Sequence, residues 1–128
     1  MRLLIDEDTA SATLMTRLLA AGHEVVQWPH GTPDEIVFND AQHLALPSLT
    51  ANVGRKGRRD SVRLYQLAIE RAPHCGVIGI FRPAPGRWLS DSLIVAALAR
   101  LAAQEQAQLG TALRPNSLTR LNDFLPQP

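Results

Sequence analysis

The chain has one cysteine, Cys75, among its 128 residues. One thiol can neither close an internal disulfide nor build a structural zinc site. A disulfide-framed secreted domain is therefore excluded, and a reducing, cytoplasmic setting is expected. Cys75 directly precedes the apolar run Gly76 to Phe81, so a buried, inert thiol is expected there rather than a nucleophile. Long apolar runs are also missing. No stretch reaches the roughly 20 residues of a membrane helix. Residues 1–5 are apolar apart from Arg2, but Asp6, Glu7 and Asp8 interrupt them at once, which is not the pattern of a signal peptide. No glycine-rich phosphate loop, nucleophile elbow, zinc motif or internal repeat is present. Lysine is nearly absent as well: Lys56 is the only one, and the other twelve basic residues are arginines.

A hydrophobic fraction of 45% with 20% charged residues fits a folded domain rather than a disordered chain. The length suits one domain over 1–125, with 126–128 as a C-terminal tail. The net charge of +1 says little, but its distribution says more. Four basic residues fall within Arg55-Lys56-Gly57-Arg58-Arg59, and Arg63 follows. Such a cluster suits either a polyanion or a solvated loop.

Strands and helices alternate along the chain. Arg2-Leu3-Leu4-Ile5 is an apolar run stopped by acids and reads as a buried parallel strand. Thr9 or Ser11 can cap a helix over Ala12 to Ala21, whose Leu14, Met15, Leu18 and Leu19 recur at helical spacing. Gly22 ends it, and Glu24 to Trp28 follows as a second strand. Thr32 is the expected cap of a second helix, with Pro33 at its first position and Asp34 and Glu35 in its first turn. Ile36, Val37 and Ala41 would supply its apolar face. Leu46 to Ala51 reads as a third strand, weakened by Pro47. A basic loop over 52–60 leads to a third helix starting near Ser61. Gly76 to Phe81 is the clearest strand, Ser90 to Gln108 a long alanine-rich helix, and Ser117 to Leu121 a last strand. The alternation predicts an α/β fold of three layers, with a mainly parallel central sheet flanked by helices.

In such sheets functional groups gather at the carboxyl ends of the strands. Asp6, Glu7 and Asp8 close the first strand, Asn52 follows the third, and Asp34, Glu35 and Asp60 begin or precede helices. Clustered carboxylates repel one another and call for a cation or shifted pKa values. Mg²⁺ and Mn²⁺ prefer such hard oxygen ligands. A metal held this way can position a water and polarise a phosphodiester, as in a metal-dependent nuclease. Local roles compete. Asp8 suits a helix cap better than metal ligation, Asp34 and Glu35 suit the helix dipole, and Asp60 suits an N-cap. Asp6 is the exception, because an unpaired charge at the end of a buried strand is costly. His23 is expected at a helix terminus, His30 in a loop, and His43 and His74 show no metal-ligand spacing.

The order of these motifs resembles the short bacterial PIN-like proteins grouped as a domain of unknown function, many of them taken as toxins of toxin–antitoxin pairs. Members open with a Leu-Leu-Ile-Asp-Glu-Asn type strand, matched here by Leu3 to Asp8. A Gly-His-Asp-Val-Val type strand is matched by Gly22 to Val26, and an Asp-Glu-Glu-Ile helix start by Asp34-Glu35-Ile36. The Leu-Thr-x-Asp-x-Asp-Phe segment corresponds to Leu49-Thr50-Ala51-Asn52, an insertion Val53 to Arg59, and Asp60-Ser61. The resemblance spans nearly the whole chain. It implies a PIN-like fold, a Mg²⁺ or Mn²⁺ site and RNA cleavage. Asp6, Asp34, Asn52 and Asp60 would be the metal ligands, and Asp6, Glu35 and Asp60 the catalytic residues. Arg55, Lys56, Arg58, Arg59 and Arg63 would hold the RNA, and an antitoxin protein would be a partner. A homodimer is one assembly it leaves open. Asn52 stands where the family usually has Asp, and Ser61 where it has Phe. Those departures define an alternative: a catalytically weakened module that binds RNA or a partner protein. A receiver domain of a phosphorelay comes behind both, because strand three ends in no Asp and no Lys follows strand five.

Overall fold

A computed structural model describes residues 1–5, 9, 11–27, 31–51, 64–71, 73–81, 87, 89–109 and 116–126. The elements run β1 (Arg2–Ile5), α1 (Ala12–Ala20), β2 (Glu24–Gln27), α2 (Asp34–Leu44), β3 (Ser48–Thr50), α3 (Leu64–Glu70), β4 (Val77–Gly79), α4 (Asp91–Leu109), β5 (Leu118–Arg120) and a closing 3₁₀ turn, Leu121–Phe124. The five strands form one sheet in the order β2-β1-β3-β4-β5, and every pairing is parallel. The expected three-layer α/β architecture is therefore present. No helix among the described residues is long and apolar enough to cross a membrane.

Alternation along the strands divides the core in two. Leu3, Ile5, Leu49 and Ile78 face α1, α4 and the closing turn, where they meet Leu14, Leu18, Leu98 and Leu101. Leu4 and Val77 face the other way, onto Val37, Phe38 and Ala41 of α2 and Leu67 and Ala68 of α3. Each fully buried leucine contributes about 1.5–3 kcal/mol relative to exposure. Helix α1 shows how local sequence sets the frame. The Ser11 hydroxyl accepts from Leu14 N–H at 3.1 Å and caps its start. At its end Gly22 takes φ +91°, a conformation open to glycine, and His23 N–H reaches back to Leu18 C=O at 3.1 Å.

Several expected boundaries shift. Pro33, not Thr32, caps α2, and it does so through backbone carbonyl contacts without a side-chain bond. Val37 and Ala41 are buried as expected, but Ile36 is exposed and Phe38 takes its place in the core. Strand β3 begins at Ser48, after Pro47, which has no N–H to offer the ladder. Pro47 instead accepts from Leu4 N–H at 2.9 Å. Leu19, expected on the core face of α1, is exposed. Leu121 leaves the last strand and opens the 3₁₀ turn, where it is fully buried. Cys75 is partly exposed rather than buried. The expected start of the third helix, at 61–63, lies outside the described residues.

The position of α4 has consequences for the site. From β3 to β4 to β5 the chain moves steadily across the sheet. Yet α3 packs on one face and α4 on the other, beside α1. The β4–α4–β5 crossover therefore has the opposite hand to β3–α3–β4, a departure from the nearly uniform hand of such units. It brings the beginnings of α1 and α4 to the same face of the carboxyl edge.

At the opposite edge, His74 is buried against the Phe38 ring, and its Nδ1 accepts from Gly76 N–H at 3.1 Å. Burial pushes its pKa below the ordinary value, offset in part by a backbone hydrogen bond. Burial lowers His23 too, helped by the adjacent Met1 ammonium. An unfolded histidine takes up a proton near pH ~6.5, whereas the folded ones resist it. The unfolded state then binds more protons, so acid favours unfolding. Stability from these groups is fully present above about pH 6.5 and lost as pH falls through the depressed folded values. Urea unfolding between pH 7.5 and 5.5 should show this decline, and His74→Gln should flatten it.

Candidate functional site

The carboxyl edge carries a crevice of about 180 Å³ on the α1–α4 face. Its apolar floor includes Leu14, Ile80 and Ile94, and its polar lining is Thr9, Ser11 and Asp91. Three neighbouring strands feed it. Thr9 and Ser11 lie between β1 and α1, Ala51 follows β3, and Ile80 follows β4. Because α4 crosses to the face of α1, the starts of both helices wall the same space.

One hydrogen bond ties the crevice together. Thr9 is nine-tenths buried, and its Oγ1 accepts from Ala51 N–H at 2.8 Å. It links the segment after β1 to the residue after β3 across 42 positions of sequence. The Thr9 carbonyl accepts from Ser11 N–H at 3.0 Å, so the same residue also sets the entry into α1. The next ladder step is Ile80 N–H to Thr50 C=O at 2.8 Å. Beyond it, the Asn122 side chain makes a two-sided pair with the Phe81 backbone, at 2.9 Å and 2.8 Å. Removing the Thr9 hydroxyl leaves the Ala51 amide without its acceptor. Thr9→Val should cost about 1–3 kcal/mol in urea unfolding, and Thr9→Ser should recover most of it.

Asp91 stands in the first turn of α4 and is half-buried. Its carboxylate has no hydrogen-bond or ion-pair partner among the described residues. Neither Asp91 nor the Thr9 clamp stands out in the sequence as a site residue. An acid in a first helical turn is what the helix dipole favours, and a threonine near a helix start reads as a cap.

Asp6, Asn52, Arg55, Lys56, Arg58, Arg59, Asp60 and Arg63 lie outside the described residues, as do Glu7, Asp8 and His30. Asp34 opens α2, but its side chain is not described. Glu35 is exposed and pairs with Arg71 at 2.7 Å, between α2 and the residue after α3. It does not line the crevice. Among the described residues no three His, Cys, Asp or Glu side chains gather as a metal site. The polar side chains lining the crevice, Thr9, Ser11 and Asp91, carry only oxygen atoms, and the Thr9 and Ser11 hydroxyls already accept backbone N–H groups.

No protein-family model, curated protein or solved structure matches the chain.

Proposed function

We propose that the chain is a Mg²⁺- or Mn²⁺-dependent ribonuclease of PIN-like type, with its site at the carboxyl edge around this crevice, and that it acts as the toxin of a toxin–antitoxin pair. The observation that carries the reading is the adjacency of β1 and β3, paired Leu4 to Ser48 and Ile5 to Leu49. Asp6 follows Ile5 in the chain, and Asn52 follows Ala51, which the Thr9 hydroxyl holds. The segments that begin with these two oxygen-bearing residues thus leave the sheet from neighbouring strands, where open parallel sheets place their ligands.

In this reading Asp6, Asn52 and Asp60 hold the cation, with Asp34 contributing from the start of α2. Glu35 would have to leave Arg71 to serve as a catalytic carboxylate. Bound there, a divalent ion would polarise the scissile phosphodiester and favour deprotonation of the attacking water. Arg55, Lys56, Arg58, Arg59 and Arg63 would neutralise backbone phosphates and hold the RNA in register.

Asn52 supports a second reading, a module that keeps RNA or protein binding with weakened cleavage, because its amide ligates through a neutral oxygen. The receiver reading loses ground on the position of α4. A uniform crossover hand with this strand order would put α4 beside α2 and α3, whereas it packs beside α1. The deciding experiment is Mn²⁺-dependent cleavage of single-stranded RNA by wild type and by Asp6→Asn. Cleavage lost in the variant supports the nuclease. Salt-sensitive RNA binding without cleavage by the wild type supports the binding module.

A further inference from the structure

We propose that Arg120 is a further phosphate contact for single-stranded RNA, a guanidinium set in place by the Phe81 ring on the α3 side of the carboxyl edge. The inference rests on the RNA-binding reading above and extends it to a surface away from the crevice. Three observations meet in it. Arg120 ends β5, an edge strand of the sheet, and is exposed. Its Cζ sits 4.6 Å from the centre of the Phe81 ring. No carboxylate or other acceptor pairs with its guanidinium among the described residues, although the exposed Asp123 follows close behind in the chain.

Register puts the pair on one face. Arg120 pairs with Gly79, and Leu118 with Val77. Val77 faces the α2–α3 core, so Gly79 and Arg120 face the same way. Helix α3 packs against β4 and β5 there, and in the sequence the basic residues from Arg55 to Arg63 lead directly into it. The Phe81 backbone is held at both its N–H and its C=O by the Asn122 side chain. One short segment, Arg120 to Asn122, thus fixes the ring and supplies the cation that stacks on it. Stacking occupies one face of the guanidinium and leaves the N–H groups at its edge, which donate in a single plane. A phosphate takes such a fork in two parallel bonds. A cation–π contact at an exposed site adds little to stability, so the side chain can be changed without loss of the fold.

Binding of a short, labelled single-stranded RNA to the full chain in EDTA reads the contact without cleavage. Arg120→Ala should weaken binding on the order of tenfold at about 50 mM salt and make the fall of log K with log salt shallower by about 0.7, with an unchanged melting curve. Arg100→Ala removes the same charge from an exposed position on α4 and should change affinity and slope much less. Arg120→Lys should keep the slope yet lose several-fold in affinity, because an ammonium cannot form the fork. Phe81→Leu keeps every charge and should lose affinity at an unchanged slope, which marks Phe81 as a positioning residue. If Phe81→Leu does not fold, the contrast between Arg120→Ala and Arg120→Lys carries the test. Wild-type RNA binding with the same affinity and slope in Arg120→Ala, or an equal loss in Arg100→Ala, would overturn the role of Arg120 and leave the nuclease reading standing. Full affinity in both Arg120→Lys and Phe81→Leu would overturn the stacked fork. Failure of the wild type to bind RNA would overturn both this contact and the reading it rests on.

Discussion

Asp6→Asn is expected to lower Mn²⁺-dependent RNA cleavage by on the order of 100-fold or more while leaving the fold intact. The size of the effect follows from charge rather than shape. Asparagine keeps the volume and one ligating oxygen but removes the negative charge that makes a carboxylate a strong ligand for a hard cation. Losing even an indirect partner of a metal costs about 10–100-fold in affinity or activity, and a direct charged ligand should cost more. Strand β1 lies between β2 and β3, in the interior of the sheet. Its Leu3, Leu4 and Ile5 are fully buried, so the backbone leading to Asp6 is fixed from both faces. Cleavage rates at saturating Mn²⁺, with melting curves for both proteins, make the comparison. Equal rates in the two proteins would remove Asp6 from the chemistry.

The parts of the fold that were legible in the sequence were those set by local pattern. Leu3-Leu4-Ile5 could bury three successive side chains only in a strand covered on both faces, and it does. The stripe through Leu14 and Leu18 and the stop at Gly22 gave α1 to within one residue. Local pattern failed where a distant partner decided the outcome. Leu46 is apolar and buried, but its N–H goes to Ala41 C=O at the end of α2, so it closes a helix instead of opening a strand. Leu121 is buried against α4 and the sheet, and that packing favours a 3₁₀ turn over another strand residue. Glu35 finds Arg71, 36 residues away, a pairing no spacing rule reveals.

The candidate site was legible in one respect only. Acids at the ends of strands indicate an edge, and a parallel sheet gathers those ends together. Which helices wall that edge depends on crossover hand, and no periodicity encodes it. The apolar stripe of α4, through Ile94, Ala97, Leu98 and Leu101, fits either face of the sheet equally well. Only the packed structure puts Asp91 and Ala51 on one crevice. Glu105 makes the same point at the other end of that stripe. It is buried in line with those apolar residues, and its Oε2 has no partner, an arrangement that helical spacing alone would not predict for a glutamate.

Replacing Arg55, Lys56, Arg58 and Arg59 together with alanine should weaken RNA binding more at low salt than at high salt, whether or not the protein cleaves. Each phosphate neutralised by a cationic side chain releases condensed counterions, so log K falls with log salt by about 0.7 per contact for single strands. Four lost contacts should make that slope shallower by about 3. Near 50 mM salt the loss should reach on the order of 100-fold or more, and it should shrink as salt rises. The protein carries only +1 overall, so removing four positive charges leaves it at −3 and adds general repulsion of RNA. A charge-matched control separates that from direct contact: Arg2, Arg17, Arg71 and Arg100 lie on described surface elements and are all exposed. If replacing these four changes the slope as much as replacing the 55–59 cluster, the cluster is a solvated loop. If the cluster alone changes it, the basic segment is the RNA-binding surface. Combined with Asp6→Asn, the same titration then separates holding the RNA from cutting it.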